Sequence, residues 1–143
     1  IINIGSVAGE IAIPFQAFYS FTKAGVQVLS EALNVELKPF GIKVTNVLPG
    51  DTKTSFTKNR QKNEIIDDLY KDRIVKSIQK MEKDEEQGMN PLRVSKTIEK
   101  VLRMKNPPLR ITVGCSYKFL VFLKRFLPLK LVNYFVDKIY GGH

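Results

Sequence analysis

A strand–helix–strand pattern occupies the first 50 residues and constrains the fold more than any other feature of this chain. The apolar run at residues 1–4 predicts a strand, and the Gly and Pro residues within 5–15 predict a loop. Apolar residues recur every three or four positions over about 17–37, which predicts a long helix ended by a Pro and a Gly. The β-rich run at 42–48 predicts a second strand that stops at a Pro-Gly pair. The pattern is that of a βαβ unit with parallel strands.

The predicted helix over 17–37 carries two rows of apolar residues. One row consists of Phe21, Ala24, Val28, Ala32 and Val35, and the other of Gly25, Leu29, Leu33 and Leu37. A helix with two apolar faces is covered on more than one side, so we expect both rows to be buried. A self-associating helical face is consistent with this pattern, and the intact protein is expected to be a homo-oligomer.

The rest of the sequence continues the alternation of helix and strand. A charged segment at 63–87 is predicted to form a surface helix with one apolar stripe, and a helix over 94–104 and a short strand over 110–114 follow. The stripe consists of Ile65, Ile66, Leu69, Tyr70, Ile74, Val75, Ile78 and Met81. Residues 117–140 predict two short amphipathic helices separated at Pro128. Such alternation indicates a layered α/β domain with a parallel sheet.

The composition excludes several kinds of chemistry. One cysteine, Cys115, and one histidine, His143, cannot complete a tetrahedral zinc site or place an imidazole beside a nucleophile, so we expect no metal site. A single cysteine also excludes an internal disulfide and favours a reducing compartment, and the expected location is cytoplasmic. No run of about 20 apolar residues is present, so a transmembrane helix is not expected.

Positive charge is concentrated towards the C-terminus. The chain carries a formal net charge of +9, and from Lys100 onwards nine Lys and Arg residues are opposed only by Asp137. No zinc-finger, RRM or basic-zipper pattern accompanies this charge, so specific nucleic-acid binding is not expected. Two interpretations of 117–140 remain open: the helices pack over the sheet or an active-site mouth, or they make a peripheral contact with a membrane surface.

Three polar residues are predicted to meet at the carboxyl edge of the sheet, where open parallel sheets bind ligands. Tyr19 and Lys23 are four positions apart and share one helix face, and Ser6 directly follows the first strand. A nearby ammonium favours the phenolate form of a tyrosine, and a serine hydroxyl can hold a substrate oxygen against the phenol. None of these groups can accept a hydride, so a redox reaction here needs a bound cofactor.

The order and spacing of these residues resemble the short-chain dehydrogenase/reductase family. The family's catalytic Ser, Tyr-x-x-x-Lys and Pro-Gly-x-x-x-Thr elements match Ser6, then Tyr19 and Lys23, then the segment 49–54. The resemblance implies the C-terminal half of a Rossmann-like doubly wound parallel sheet with a helical C-terminal extension. It also implies an oxidoreductase that transfers a hydride between NAD(P)(H) and a carbonyl or secondary alcohol, and the apolar C-terminal region suggests a lipophilic substrate.

The resemblance assigns a role to each matching residue. It implies that Ser6 orients the substrate, that Tyr19 is the general acid/base, and that Lys23 favours the tyrosinate and binds the nicotinamide ribose. Contacts with the nicotinamide and its carboxamide are implied for Pro49, Gly50, Thr52 and Thr54. Because hydroxyls in loops often satisfy nearby backbone groups, ordinary loop capping is the alternative role of the two threonines.

Other elements of the family have no counterpart in these 143 residues. The sequence contains no Gly-x-Gly-x-x-Gly turn for a pyrophosphate, no Asn-Asn-Ala-Gly strand and no residue that selects between NAD and NADP. We therefore expect residues 1–143 to be the C-terminal portion of a longer enzyme and to be inactive alone. Of the two cofactors, NADP is slightly favoured.

Two regions are predicted within the chain. Residues 1–116 would form the C-terminal part of the NAD(P)-binding domain, including a substrate lid at about 54–90, and 117–143 would form the amphipathic extension. The expected partner is a small carbonyl or alcohol substrate. A non-catalytic interaction or membrane-surface module on the same scaffold is the alternative function.

Overall fold

A single parallel sheet of three strands organises the part of the chain that the computed structural model describes, residues 1–61 and 67–143. The strands are β1 (Ile2–Ile4), β2 (Thr45–Pro49) and β3 (Arg110–Val113), in the order β1-β2-β3. Both neighbours of β2 run parallel to it. This sequential order is that of one half of a doubly wound sheet, and the predicted α/β class is confirmed.

Five α-helices accompany the sheet within the described residues. They are α1 (Ala17–Glu36), α2 (Asp68–Glu86), α3 (Leu92–Arg103), α4 (Cys115–Lys124) and α5 (Leu129–Tyr140). The predicted break between the last two helices is confirmed, because Pro128 is the N-cap of α5. None of the helices in 1–61 and 67–143 is long and apolar enough to cross a bilayer.

The central strand β2 forms the core. All residues from 44 to 48 are buried, and Val47 is completely inaccessible to solvent. A central strand of a parallel sheet is covered on both faces, which explains a continuous buried run. The strand begins at Thr45, three residues later than predicted, because Gly41 adopts a left-handed conformation with φ of 71° and the next two residues are exposed.

The prediction that both apolar rows of α1 are buried is wrong for the described residues. Phe21 and Val35 are 74% and 71% exposed, and Val28 and Leu29 are also exposed. Two serines, Ser20 and Ser30, are the buried residues of α1 instead. The Ser30 hydroxyl accepts a hydrogen bond of 2.9 Å from the side chain of Asn3 in β1. Small side chains let α1 approach the sheet closely, so the large apolar residues point elsewhere.

Helix α2 has a defined start. The Asp67 carboxylate accepts a hydrogen bond of 2.9 Å from the backbone N–H of Leu69, which caps the helix at its N-terminus. The first residues predicted for this helix, 63–66, including Ile65 and Ile66 of its apolar stripe, lie outside the described residues. Of the remaining stripe, Met81 is buried while Leu69 is exposed, so only the C-terminal part of the stripe packs inwards.

Candidate active site

A cavity of about 840 Å³ lies at the carboxyl ends of β1 and β2. Ser6 follows β1, and the Pro-Gly pair closes β2, so the strand ends deliver these residues to the cavity wall. All seven residues predicted from the sequence line this cavity: Ser6, Tyr19, Lys23, Pro49, Gly50, Thr52 and Thr54. The fold therefore brings the predicted set together in space, while the role of each residue stays a prediction.

Helix α1 places Tyr19 and Lys23 side by side. The Lys23 ammonium nitrogen lies 5.7 Å from the centroid of the Tyr19 ring. The same ammonium donates a hydrogen bond of 3.1 Å to the carbonyl oxygen of Ile4, the last residue of β1. Because an ammonium has three N–H donors, Lys23 is anchored to the strand end and still has donors for a ligand in the cavity.

The loop after β1 is held directly against α1. The Ser6 hydroxyl accepts a hydrogen bond of 3.1 Å from the backbone N–H of Ala8, which leaves its own O–H able to donate. A Cβ atom on Gly9 would lie 2.8 Å from the carbonyl carbon of Lys23. Only glycine permits such a close approach, so Gly9 fixes the distance between the serine loop and the lysine.

The two threonines after β2 make the local contacts that loop capping predicts. The Thr52 hydroxyl donates to the carbonyl oxygen of Gly50 at 2.8 Å, and the Thr54 hydroxyl accepts from the backbone N–H of Phe56 at 3.2 Å. A hydroxyl has one donor and two acceptor positions, so each threonine keeps further hydrogen-bonding capacity towards the cavity.

Phe56 contacts Tyr19 and was not among the predicted site residues. The two ring centroids are 5.8 Å apart and the rings are tilted by 53°. The Arg60 guanidinium lies 5.7 Å from the Phe56 ring and pairs with Glu85 of α2. The orientation of the Tyr19 ring therefore depends on a segment that is anchored to α2. Phe56 is the only apolar residue within 51–61, a signal that could have identified it.

A second unpredicted contact joins α4 to the end of β2. The Tyr117 hydroxyl donates a hydrogen bond of 2.6 Å to the Asp51 carboxylate. The Tyr117 ring lies so close to Gly50 that a Cβ atom there would come within 2.4 Å of it. Burial raises the pKa of Asp51, an effect that the Tyr117 hydrogen bond opposes. Burial and the neighbouring carboxylate raise the pKa of Tyr117, so its hydroxyl remains the donor.

An analogous contact joins α5 to α2. The Tyr140 hydroxyl donates to the Asp84 carboxylate at 3.0 Å, and Asp84 also pairs with Lys80. Burial, followed by the charge of Asp84, raises the pKa of Tyr140. Each C-terminal helix thus has one hydrogen bond from a tyrosine to a carboxylate among its contacts with the rest of the chain. Within 1–61 and 67–143, no group of three potential ligands could hold a metal ion.

The two C-terminal helices and the turn between them form an apolar wall of the cavity. The wall is lined by Leu120, Leu123, Leu127, Val132, Val136 and Ile139. Polar residues that also line the cavity include Ser6, Tyr19, Lys23, Asp51 and Glu85. A cavity that is mostly apolar with a few convergent polar groups is typical of a site for a small organic ligand.

Comparison with known proteins identifies the family. The family model described as short chain dehydrogenase matches residues 1–65. The 3-ketodihydrosphingosine reductase of Bacteroides thetaiotaomicron is 40% identical over 144 residues, which cover 99% of this chain and 54% of that protein. A short-chain dehydrogenase from Streptomyces avermitilis superimposes with a TM-score of 0.69 and 26% identity over 87% of this chain and 46% of that structure. The chain belongs to the short-chain dehydrogenase/reductase family.

A further relative is similar to this chain over nearly its whole length. The 17-beta-hydroxysteroid dehydrogenase type 6 of Bos taurus is 29% identical over 96% of this chain and 47% of that protein. The chain thus spans about half the length of the curated relatives that it matches over nearly its whole length. The Rossmann-like fold and the family, both inferred from the motif residues, are confirmed.

Proposed function

We propose that this short-chain dehydrogenase/reductase chain carries the acid/base residues and the substrate wall of an NAD(P)-dependent oxidoreductase acting on a lipophilic ketone or secondary alcohol. One observation carries the proposal: Ser6, Tyr19 and Lys23 line the same cavity as the apolar side chains of α4 and α5. Family membership supports the reaction class. Two relatives are named for a 3-ketodihydrosphingosine and a 17-beta-hydroxysteroid, both lipids, which supports the substrate class.

The residues of this cavity fit the nicotinamide end of NAD(P). Lys23 has N–H donors beyond the one that binds Ile4, and these suit the hydroxyls of a ribose. Pro49, Gly50 and Thr52 line the same cavity and can lie along a planar ring. When bound, the cofactor supplies the hydride for the carbonyl carbon of the substrate.

The chain's own residues handle the proton and the charge. In the direction of reduction, the Tyr19 hydroxyl donates its proton to the substrate oxygen as the alcohol forms, and in oxidation it accepts that proton. The Ser6 hydroxyl donates a hydrogen bond to the same oxygen and holds it in place. The Lys23 cation, 5.7 Å from the phenol ring, stabilises the negative charge that remains on the tyrosine.

The apolar wall supplies binding energy and excludes water. The hydrocarbon part of the substrate contacts the leucine, valine and isoleucine side chains of α4 and α5, where burial contributes about 25 cal/mol per Å² of apolar surface. Because this energy is proportional to the buried area, longer apolar substrates should be preferred. NADPH is the reductant that we expect to be preferred over NADH.

The proposal is tested with methyl ketones of increasing chain length. The protein expressed from its complete gene is assayed with NADPH and with NADH, and kcat/KM should rise with the number of CH₂ groups. Leu120→Gln, on the cavity wall, should weaken this dependence. Leu102→Gln, on the exposed face of α3, is the matched control and should leave it unchanged.

Two outcomes would contradict the proposal in different ways. A kcat/KM independent of chain length would reject the lipophilic substrate class but would leave the proposed oxidoreductase reaction standing. No nicotinamide-dependent turnover with any ketone or alcohol would reject the oxidoreductase and favour the non-catalytic interaction module.

A further inference from the structure

We propose that α4 and the turn that follows it bind the surface of an anionic phospholipid bilayer. Three aromatic side chains, Phe119, Phe122 and Phe126, are 66%, 57% and 69% exposed. They are separated by three and four positions and therefore lie on one side of the segment. Large apolar clusters that remain exposed usually mark an interaction site.

Cations flank these aromatic residues. Lys118 and Arg125 are seven positions apart, so they share one side of the segment and border the aromatic row. Lys130 and the exposed Leu129 continue the same combination at the start of α5. The sequence contains no Asp or Glu from residue 100 to residue 136, so no carboxylate of this stretch neutralises the cations.

The cations of this surface differ from those nearby that serve the fold. Arg110 and Lys124 pair with Glu10, which ties β3 and α4 to the loop after β1. Lys118, Arg125 and Lys130 form no ion pair with any residue in 1–61 or 67–143. Among the residues that the structure describes, nothing therefore occupies these charges, and they can interact with an external anion.

Charge and shape together favour a bilayer as the binding partner of this surface. Aromatic rings bordered by Lys and Arg are suited to the boundary between headgroups and acyl chains, where the rings enter and the cations contact anionic headgroups. A second copy of the chain is less suitable, because a two-fold contact through this surface would bring two sets of cations together without a carboxylate from residues 100–136 between them.

The same helix connects this surface with the cavity. On α4, Leu120 and Leu123 line the cavity, whereas Phe119 and Phe122 are largely exposed. The cavity wall is thus one helix thick at this point. A lipophilic substrate dissolved in the bilayer could enter beside α4 without crossing water, a corollary that rests on the proposed function. Bilayer binding itself does not depend on turnover.

Vesicle sedimentation tests the proposal on the protein expressed from its complete gene. Vesicles of phosphatidylcholine with about 30% phosphatidylglycerol should bind the protein more tightly than phosphatidylcholine alone. The variant Lys118→Gln/Arg125→Gln/Lys130→Gln should lose about a hundredfold in binding to the anionic vesicles, given the contribution of each cation near such a surface. The variant Phe119→Ser/Phe122→Ser/Phe126→Ser should lose binding to both.

A control and a reporter make the result specific to this surface. Leu92→Ser/Leu102→Ser replaces two equally exposed apolar residues on α3 and should bind like the wild type. Residues 1–143 contain no tryptophan, so Phe122→Trp introduces a local fluorophore whose emission should shift to shorter wavelength with anionic vesicles. Phe18→Trp, at an exposed position of α1, should not shift.

Three results would overturn the proposal. One is a wild-type protein that binds neither kind of vesicle, and another is binding that the Phe and cation variants leave unchanged. The third is a Phe variant that alters the oligomeric state in light scattering while no vesicle binding occurs, which would assign the surface to a second copy. Circular dichroism verifies that each variant folds. If the triple Phe variant does not fold, the fluorescence shift of the singly substituted Phe122→Trp protein tests the proposal instead. Ketone turnover is measured separately, so either proposal can fail alone.

Discussion

The first 54 residues and the C-terminal helices contribute to one cavity in different ways. The N-terminal part supplies hydroxyl, phenol and ammonium groups; backbone contacts place Ser6 and Lys23, and the Phe56 ring packs against Tyr19. The helices α4 and α5 supply an apolar wall and are joined to the rest through Tyr117 and Tyr140. The reactive side chains are therefore positioned by short, local spacings in the sequence, whereas the shape of the site depends on contacts between distant residues.

Replacing Tyr19 tests the N-terminal contribution and should have the largest effect. Tyr19→Phe keeps the ring against Phe56 but removes the proton that the reaction needs. General acid/base groups contribute about 10²–10⁴-fold, so kcat should fall by that factor while the fold is retained. Steady-state kinetics measure the loss, and Tyr70→Phe, on the exposed side of α2, is the control. Retention of more than about a third of the wild-type kcat would reject the assignment.

Replacing Lys23 should have the next largest effect. Lys23→Met removes the cation beside the phenol ring and the anchor to Ile4, and kcat at neutral pH should fall by about 10- to 100-fold. Lys23→Arg should restore only part of the activity, because a planar guanidinium does not replace a compact ammonium. The pH–rate profile checks the role: a Met variant whose profile matches the wild type would show that Lys23 is a surface residue.

The sequence predicted the βαβ unit and the placement of Ser6, Tyr19 and Lys23 because these features depend on local periodicity. Residues four apart on a helix must share a face, and a residue after a parallel strand must lie at the carboxyl edge. The buried face of α1 was not predictable in this way. Its contact with the sheet uses Ser20 and Ser30, and apolar periodicity does not report a contact made by small polar residues.

The contacts that complete the site could not be read from the sequence. Asp51 and Tyr117 are 66 positions apart, and only the packing of α4 against Gly50 brings them together. Asp51 lies within the segment that resembles the family motif, but the motif gives no reason to pair it with a tyrosine of α4. Long-range pairs of this kind depend on the whole fold.

Removing each of the two tyrosine hydroxyls in turn shows how much each contact of a C-terminal helix contributes to the free energy of unfolding. Tyr117→Phe leaves the part-buried Asp51 carboxylate without its hydrogen bond, and hydrogen bonds to charged groups contribute about 1.5–3 kcal/mol. Tyr140→Phe is the matched variant and should cost less, about 0.5–1.5 kcal/mol, because Asp84 keeps its ion pair with Lys80. Urea unfolding measures both free energies. Equal losses, or a larger loss for Tyr140→Phe, would show that the contact with β2 is not the stronger attachment.

The smallest expected effect concerns the pH dependence of stability. Burial raises the pKa of Asp51 above its ordinary value of 3.8, so the folded protein binds this proton more tightly than the unfolded chain. The stabilisation is therefore complete below pH 3.8 and is lost as the pH rises through the raised pKa. Asp51→Asn can still accept the Tyr117 hydrogen bond and lacks this titration. Its free energy of unfolding relative to the wild type should increase with pH above 3.8, and a constant difference would contradict the assignment.

The transfer of a hydride to a carbonyl carbon is the central claim, and isotope transfer tests it most directly. The protein from the complete gene is supplied with a long-chain methyl ketone and with NADPH deuterated at C4, each face of the ring being labelled in a separate reaction. Mass spectrometry of the alcohol should show one deuterium on the carbinol carbon from one of the two labelled cofactors, while the hydroxyl proton comes from solvent by way of Tyr19. An alcohol without deuterium from either cofactor, or no alcohol at all, would contradict the account.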